Sequence, residues 1–443
     1  MNREPTGLDM RRVTPIFLMV FVDMLGLTIV LPLLHLYAAA YGAGPLEVGI
    51  VVAAFPLAQL IGVPMMGALS DRYGRRPLLL ISQVTTCISF IMLGLADSLT
   101  LIIISRLFDG LFGANIATAQ AALSDITDAS NRARGLGITG AAFGLGFIFG
   151  PAIAILSFEL TDSLAVPAFT AALYSFLSIL VTTFMFKETH PPERRGGASG
   201  GGISPVTLFR YLARPFVGVF LLLMFAQQFI FFGFESLLGL FTLTRLGFLG
   251  AGNAALFLFV GVILVLVQMR AIGPWSSRFG ERRLVMAALL LLALGLLLAA
   301  ATPEQPHPFY VRELVARDLM AQAPTRTQAM IGDLRLQLPA NGNNGLAGVL
   351  WLALALVPIS IGAALIRPAL NSLITRSVGE NEYGSALGIS SAFVSAANAS
   401  APLLAGFAFQ QLGSSAPFAI GGALMAALCV FSLSIQQRAS RRD

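Results

Sequence analysis

Twelve long apolar runs restrict the folds that this chain can adopt. Each is about as long as the roughly 20 residues that a helix needs to cross the hydrocarbon of a bilayer. Of the 443 residues, 56% are hydrophobic and only 11% are charged, whereas soluble domains carry about a quarter charged residues. The sequence therefore predicts an all-α integral membrane protein with twelve transmembrane spans, at 13–37, 48–69, 78–96, 99–123, 136–156, 165–186, 216–240, 253–273, 284–301, 346–374, 387–410 and 417–435.

The basic residues orient these spans. Lys and Arg concentrate in alternate connecting segments, and the other segments hold only Arg245, Arg312, Arg317, Arg326 and Arg335. The positive-inside rule then predicts that both termini are cytoplasmic. Because the net charge of +6 is spread over short clusters between apolar runs, nucleic acid is not an expected partner. The two cysteines lie within apolar runs, so no disulfide is expected.

An internal repeat divides the chain into two halves. Four residues of the first half recur 206 positions later: Gly67, Arg72, Gly74 and Arg76 as Gly273, Arg278, Gly280 and Arg282. Further on, the offset is 251, because Gly137 and Pro151 recur as Gly388 and Pro402. We predict an N-terminal six-helix bundle at 1–188, a Gly-rich cytoplasmic linker at 189–214 and a C-terminal bundle at 215–443. The longer offset places an insertion at 302–345 on the outer side, where the apolar spacing around 311–320 predicts a short amphipathic helix.

The segment between the second and third spans is charged and cannot lie in hydrocarbon. It predicts a tight basic hairpin on the cytoplasmic side. The pattern Gly-x-x-x-Asp-Arg-x-Gly-Arg-Arg also resembles the same loop in transporters of the major facilitator superfamily; its residues are Gly67, Asp71, Arg72, Gly74, Arg75 and Arg76. The resemblance implies two pseudo-symmetric six-helix bundles. It also implies a cytoplasmic latch, in which Asp71 faces the N-terminus of the eleventh span and Arg75 bridges to Asp125. A merely solvated loop is the alternative.

Three ionisable residues lie in the first and fourth spans. Asp23 stands near the middle of the first, and Arg106 and Asp109 share a face of the fourth because they are three residues apart. Both neighbourhoods resemble the twelve-span drug:proton antiporters, which implies a part for the arginine in proton transfer. We expect Arg106 to pair with one acid while the other is free to carry a proton. A static ion pair that locks the two spans together is the alternative.

Two further patterns point to transport. Glu235 lies among phenylalanines in the seventh span, where it could carry a proton, contact a cationic substrate, or face water with no partner. The fifth span resembles a motif associated with antiporters through Gly140, Gly144, Gly146, Gly150 and Pro151. Its glycines allow close approach of a neighbouring helix, and such packing alone is the alternative.

The function that these features imply is export. The sequence has no phosphate-binding loop, metal-ligand spacing or nucleophile elbow, so neither an enzyme nor a cofactor or metal is expected. Outside 302–345 the chain resembles the drug:proton antiporter branch, and its first half resembles tetracycline/proton antiporters.

This resemblance implies proton-coupled export of small lipophilic or cationic drugs or metabolites by alternating access. The expected protein is a monomer in the plasma (bacterial inner) membrane, with a small-molecule substrate, protons and lipid as partners. Tetracycline itself is not expected, because Ser89 stands where those exporters carry Asp. A nutrient symporter or uniporter, for example for a sugar, is the main alternative, and a non-transporting receptor or scaffold of the same fold is a remote one.

Overall fold

In a computed structural model, the chain is described over residues 10–127, 132–161, 163–190, 205–214, 216–321, 337–379 and 382–440, and all regular structure in those ranges is helical. The helices of this part of the chain are α1 (Met10–Val30), α2 (Leu34–Ala40), α3 (Pro45–Tyr73), α4 (Arg75–Gly94), α5 (Leu99–Phe112), α6 (Asn115–Asp125), α7 (Arg132–Glu159), α8 (Ala165–Met185), α9 (Pro205–Leu212), α10 (Val217–Leu246), α11 (Gly250–Arg270), α12 (Ile272–Phe279), α13 (Glu281–Ala300), α14 (Arg312–Ala321), α15 (Ala347–Arg376), α16 (Tyr383–Leu412) and α17 (Ala416–Ser440).

Twelve helical stretches in the described residues are long and apolar enough to cross a bilayer. They match the twelve predicted spans with ends shifted by a few residues, so the predicted all-α membrane architecture is confirmed. Two of these spans contain an interruption that the sequence analysis did not predict. The first span changes to a 3-10 turn at Leu31–Leu33, and the fourth is divided into α5 and α6. Below, the inner end of a helix is the end predicted to face the cytoplasm.

The chain forms two compact units, one of Met1–Leu33 with Ala58–Gly202 and one of Leu34–Leu57 with Ile203–Asp443. This division differs from the predicted one because the outer half of α3 belongs to the second unit. A Cβ on Gly49 would lie 2.3 Å from the carbonyl oxygen of Pro402 in α16, so the two backbones are in close contact. Linker residues 191–204 and insertion residues 322–336, with Arg326 and Arg335, lie outside the described residues.

In the first unit, α1 packs between α7 and α8, and α4 lies along α8 with α5 and α6 against it. The buried apolar side chains of α1, among them Ile16, Met19 and Val20, form a core with Leu79 and Phe186. All of these side chains are at most 4% exposed. The polar groups described below are therefore held within a closely packed apolar bundle.

In the second unit, α13 packs between α15 and α17, and α10 lies along α16. Gly362 of α15 permits a close contact in this bundle, because a Cβ there would lie 2.8 Å from the carbonyl oxygen of Ala288 in α13. In lipid there is no hydrophobic driving force between helices. Close packing at small residues therefore stabilises such a crossing.

The insertion folds back on the outer end of α10. The His307 N–H donates to the Leu246 carbonyl at 3.0 Å, and the Tyr310 ring covers Gly247, whose φ of +70° no bulkier residue adopts easily. The predicted amphipathic helix is present as α14. Its Val315 and Leu319 are buried, whereas the Leu314 side chain is 46% exposed, so only part of the apolar stripe packs inward.

Candidate functional site

A buried ion pair lies in the middle of the first unit. Arg106 and Asp109 are both 3% exposed, and Nη1 of the arginine lies 3.6 Å from Oδ2 of the acid. The guanidinium also donates to Ser89 Oγ at 2.9 Å and lies over the Phe90 ring, 5.3 Å from its centroid. Thr86 Oγ1 donates to Asp109 Oδ1 at 2.8 Å. Both charges are therefore oriented by side chains of α4.

The break between α5 and α6 completes this arrangement. Gly113 N donates to the Asp109 carbonyl at 2.6 Å, and the chain then leaves the helical path. The Phe112 carbonyl accepts a bond from Ser82 Oγ at 2.7 Å, so the interruption leaves it satisfied. Helix α6 begins anew at Asn115, which is 6% exposed. In an uninterrupted helix, the Asn115 side chain would have a different position and direction.

Asp23 is surrounded by neutral polar groups. Its carboxyl group lies near the side chains of Ser178 and Asn115 and in electrostatic range of Asp109. Ser178 Oγ accepts a bond from Gln83 Nε2 at 2.8 Å, so the hydroxyl proton of Ser178 is not used in that bond. Asp23 Oδ1 is buried with no hydrogen-bond partner in the described part of the chain. One acid is thus next to a cation, and the other lies among uncharged polar groups.

Sequence reasoning identified the three charged residues but left open which acid meets Arg106. It also missed the supporting polar groups, of which Ser178, Gln83 and Asn115 contact Asp23 directly or through one another. The sequence did contain a signal for these residues, because an amide or hydroxyl within a span requires a partner inside the membrane. The partner's identity was not available, since it lies on a different helix.

Glu235 lies in the second unit, on α10, and is partly exposed. Among the described residues, its carboxylate has no hydrogen bond or ion pair. One turn further out, Gly239 packs on the buried His35 ring, where a Cβ would come within 2.3 Å of Nδ1. His35 Nε2 is buried and has no hydrogen-bond partner in the described ranges.

The charged hairpin between α3 and α4 contains a network centred on Arg75. Its Nε lies 3.0 Å from Asp125 Oδ2, and its Nη1 lies 2.6 Å from Asp71 Oδ1. Gly74 makes the turn with φ of 103°. Glu188, which sequence reasoning missed, accepts bonds from the backbone N–H groups of Arg75 and Arg76 at 2.9 and 3.2 Å. The Glu188 carboxylate thus caps the positive end of α4.

The other two motif residues have different surroundings. A Cβ added to Gly67 would meet no atom within 4 Å, so space does not restrict that site to glycine. Arg72 is exposed, and its guanidinium lies 5.4 Å from the centroid of the neighbouring Tyr73 ring. The hairpin geometry therefore depends on Gly74 and Arg75 rather than on these two positions.

The second unit has a copy of this network with its charges exchanged. Glu281 stands at the position of Arg75 at the 206-residue offset, and Arg376 at the position of Asp125 at the 251-residue offset. Their side chains form an ion pair of 2.7 Å between Arg376 Nη2 and Glu281 Oε1. The sequence analysis did not recognise this reversed pair, because each half of it looks like a lone substitution in a motif.

The glycine motif of the fifth span contacts α1 through two of its members. A Cβ on Gly146 would lie 2.6 Å from Met24 Cβ, and one on Gly150 would overlap Thr28 Oγ1. Thr28 Oγ1 in turn donates to the Gly146 carbonyl at 2.8 Å. Gly144 is partly exposed, Pro151 is buried, and Gly140 is placed only by its position in α7. The close flank is therefore formed by Gly146 and Gly150, which lie one turn apart.

A family model described as Major Facilitator Superfamily matches residues 16–316 and 338–442. The chain belongs to this superfamily of membrane transporters. The tetracycline resistance protein of class C from Escherichia coli is 32% identical over 265 residues, which cover 57% of this chain and 64% of that protein. Multidrug resistance protein 2 of Bacillus subtilis (strain 168) is 24% identical over 410 residues, which cover 92% of this chain and 90% of that protein.

Solved structures share the fold of this major facilitator protein. The crystal structure of the human organic anion transporter MFSD10 (TETRAN) superposes with a TM-score of 0.65 at 23% sequence identity, covering 97% of this chain and 100% of that chain. At this identity the likeness shows the fold alone. In the described residues of this chain, no group of three or more His, Cys, Asp or Glu side chains could hold a metal ion.

Proposed function

We propose that this major facilitator protein exports small lipophilic or cationic drugs or metabolites in exchange for protons, by alternating access. Relatives named as tetracycline and multidrug resistance proteins support the export of drugs. The alignment covers only 64% of the class C tetracycline protein, so substrate identity is not transferred from it. The proposal includes a monomer in the lipid of the plasma membrane with both termini in the cytoplasm.

The surroundings of Asp23 are the main observation that supports this proposal. Its carboxyl group lies near the neutral side chains of Ser178 and Asn115 rather than next to a cation, and one of its oxygens is buried with no partner in the described residues. Such a group can gain or lose a proton without breaking an ion pair. Asp109, in contrast, is next to Arg106. We therefore assign the transported proton to Asp23 and the electrostatic setting of that site to the Arg106–Asp109 pair.

The free energy that proton movement releases is sufficient to drive export. One proton that crosses a potential of 100 mV releases about 2.3 kcal/mol. That free energy supports roughly a fiftyfold gradient of a neutral solute. Glu235, with no partner in the described ranges, is proposed as a second group that contacts substrate or proton from the second bundle.

The test is proton release from proteoliposomes containing the Asp23→Asn variant. A pH dye inside the vesicles reports proton movement when drugs, sugars or amino acids are added singly. Wild type is expected to move protons when drugs are added, and Asp23→Asn is expected to abolish this movement while still binding drug. Asp97→Asn is the matched control, because it makes the same chemical change at an exposed acid.

Three results would contradict the proposal. Proton movement coupled to sugars alone would favour the nutrient symporter. Unchanged drug-dependent proton movement in a well-expressed Asp23→Asn protein would remove Asp23 as the proton carrier. A protein that binds drugs but moves neither drugs nor protons would favour the non-transporting receptor.

A further inference from the structure

The second unit contains an intramembrane arginine that the proton pathway does not use. Arg367 lies on α15, nine residues before the inner end of that helix at Arg376. At 1.5 Å per residue it is therefore about 13 Å from that end. The residue is exposed, and among the described residues its guanidinium has no hydrogen bond or ion pair. A charged group in a span without a partner is a candidate for binding a ligand.

The position of Arg367 around the axis of α15 indicates that its side chain faces the interior of the second unit rather than lipid. Leu356 and Ser360, which precede it by eleven and seven residues, share its face of α15, and both are 0% exposed. The strongly exposed Leu350 and Leu354 lie about 100° or more around the helix. The face of α15 that carries Arg367 is thus covered by other helices at Leu356 and Ser360, and it is accessible at Arg367 itself.

A contact one turn further in supports this orientation. Asn371 Oδ1, on the same flank, accepts a bond from Ser390 Oγ of α16 at 3.1 Å. The flank therefore faces another helix of the second unit. Snorkelling to the inner surface is also disfavoured, since helical side chains lean toward the N-terminus, and the N-terminus of α15 is its outer end.

Aromatic side chains lie at a similar distance from the inner ends of two other helices of the second unit. Phe225 is eight residues from the inner end of α10, and Phe393 is ten residues from the inner end of α16, which places both about 12–15 Å from those ends. Their ring centroids are 6.3 Å apart in an edge-to-face contact, and Phe229 stacks on Phe225 at 5.9 Å. All three are partly exposed. A guanidinium and an apolar wall thus lie at similar distances from the inner ends of their helices.

We propose that Arg367 binds the anionic group of amphipathic organic anions, whose apolar part lies against Phe225, Phe229 and Phe393. A guanidinium recognises carboxylates and sulfonates through two parallel hydrogen bonds, and partly exposed aromatic rings contact an apolar body. This inference rests on the proposed export function, for which it names a substrate class that includes lipophilic carboxylates.

The test is equilibrium binding to the full chain in phosphatidylcholine nanodiscs. Radiolabelled 1-naphthoate is compared with neutral 1-naphthamide, which has the same ring system without the charge. Wild type is expected to bind naphthoate at least tenfold more tightly than naphthamide. Arg367→Gln is expected to remove this difference and leave naphthamide binding unchanged, and Arg367→Lys is expected to retain part of it. Arg270→Gln, which removes an exposed arginine at the inner end of α11, is the matched control and is expected to bind like wild type.

Naphthamide binding also reports whether each variant is folded. Equal affinities of the two probes in wild type, or unchanged naphthoate binding in Arg367→Gln, would overturn the proposal. A lipid phosphate is the other source of an anion, and nanodiscs containing phosphatidylglycerol distinguish it. If native mass spectrometry shows phosphatidylglycerol retained by wild type and lost from Arg367→Gln, while naphthoate binding does not depend on Arg367, the site belongs to lipid. Because binding needs no gradient, a failure of proton-coupled export would leave this result standing.

Discussion

At the scale of single residues, the polar groups of the first unit divide two tasks between two acids. Asp109 lies beside a cation that is itself held by Ser89, so its charge has a fixed counter-charge. Asp23 lies near a hydroxyl and an amide, which stabilise a charge less strongly than an ion pair does. Removing Arg106 would therefore act on Asp109 first, by leaving a buried charge without its partner.

Gly150 gives a prediction at this scale. A methyl group there would overlap Thr28 Oγ1, so Gly150→Ala must separate α1 from α7 or displace the threonine. We expect a loss of about 1–3 kcal/mol of stability, which thermal unfolding in detergent would measure. Gly388→Ala is the control, since a Cβ there meets nothing within 4 Å and alanine favours a helix. Equal unfolding temperatures for the two variants would show that the close contact is absent.

The limits of sequence reasoning are clearest at these residues. Asp23, Arg106 and Asp109 could be found because a charge in an apolar run costs several kcal/mol and so stands out. Ser178 could not, because serine is common in spans and its role depends on Gln83 and Asp23, which lie far away in the chain. Short-range spacing contains no information on such long-range pairs.

At the scale of elements, the twelve spans followed directly from hydropathy, but their interruptions did not. The break at Gly113 depends on a hydroxyl from Ser82 of another helix to satisfy the Phe112 carbonyl, so it is a tertiary effect. The turn at Leu31–Leu33 has a local signal in Pro32, which lacks the N–H that a helix needs. Hydropathy reports whether a segment lies in lipid, and it is insensitive to a break of one or two residues.

The reversed ion pair at the inner ends gives a prediction for α3, α4 and α6. Arg75→Glu alone would place three acids together, because Asp71 and Asp125 both contact Arg75. We expect it to lower stability by about 2 kcal/mol or more. The triple variant Asp71→Ser, Arg75→Glu and Asp125→Arg reproduces the arrangement of the second unit. It is expected to recover more than half of the loss in thermal unfolding, with Arg278→Gln as a control at an exposed position.

Recovery is expected to be incomplete for a physical reason. Glu188 bonds the backbone N–H of Arg75, so a carboxylate side chain at that position would lie near a second one. No recovery at all in the triple variant would mean that the pair in the first unit depends on more than the two opposite charges.

The insertion gives a pH-dependent prediction. Burial lowers the pKa of His307 from its ordinary 6.5, although the nearby Gly247 backbone acts in the opposite direction. Because the pKa of the packed state lies below that of the unpacked loop, packing loses stability as the pH falls through about 6.5 and the ring becomes charged. The ring stacks on Phe248 with centroids 5.4 Å apart, so we expect hydrogen exchange of residues 302–311 to accelerate in acid beyond its intrinsic rate.

His307→Phe is the matched variant for this prediction. It keeps an aromatic ring against Phe248 and Tyr310 but removes the titrating group. Its exchange is expected to be independent of pH in the same range after correction for the intrinsic rate. Acid-induced exchange that persists in His307→Phe would assign the effect to another group, such as Glu304, which pairs with Arg245.

At the scale of the whole molecule, the sequence contains more information on membrane topology than on chemistry. Twelve apolar stretches follow from the cost of burying charge, which acts on every span alike, and the distribution of basic residues follows the positive-inside rule. The division into two units is less predictable. Leu34–Leu57 lies in the first half of the chain yet belongs to the second unit, because its contacts form with α16 through Gly49 and Pro402.

The predicted orientation can be tested with single cysteines. In a background of Cys87→Ala and Cys429→Ala, Asn343→Cys lies in the exposed outer insertion and Arg210→Cys lies just before the seventh span, at another exposed position. We expect an impermeant maleimide to label Asn343→Cys in intact cells and to label Arg210→Cys only after permeabilisation. The reverse pattern would place the termini outside and invert the positive-inside assignment.

The exchanged charges of the two inner networks also make the repeated halves mutually incompatible. Arg75 pairs with Asp125 in the first unit, and Glu281 pairs with Arg376 in the second. A recombination event that joined the third span of one half to the fourth-span equivalent of the other would bring together two arginines or two acids. Each half is therefore committed to its own partner helix, and a gene conversion between the repeats would be penalised at this point even though their glycines still match.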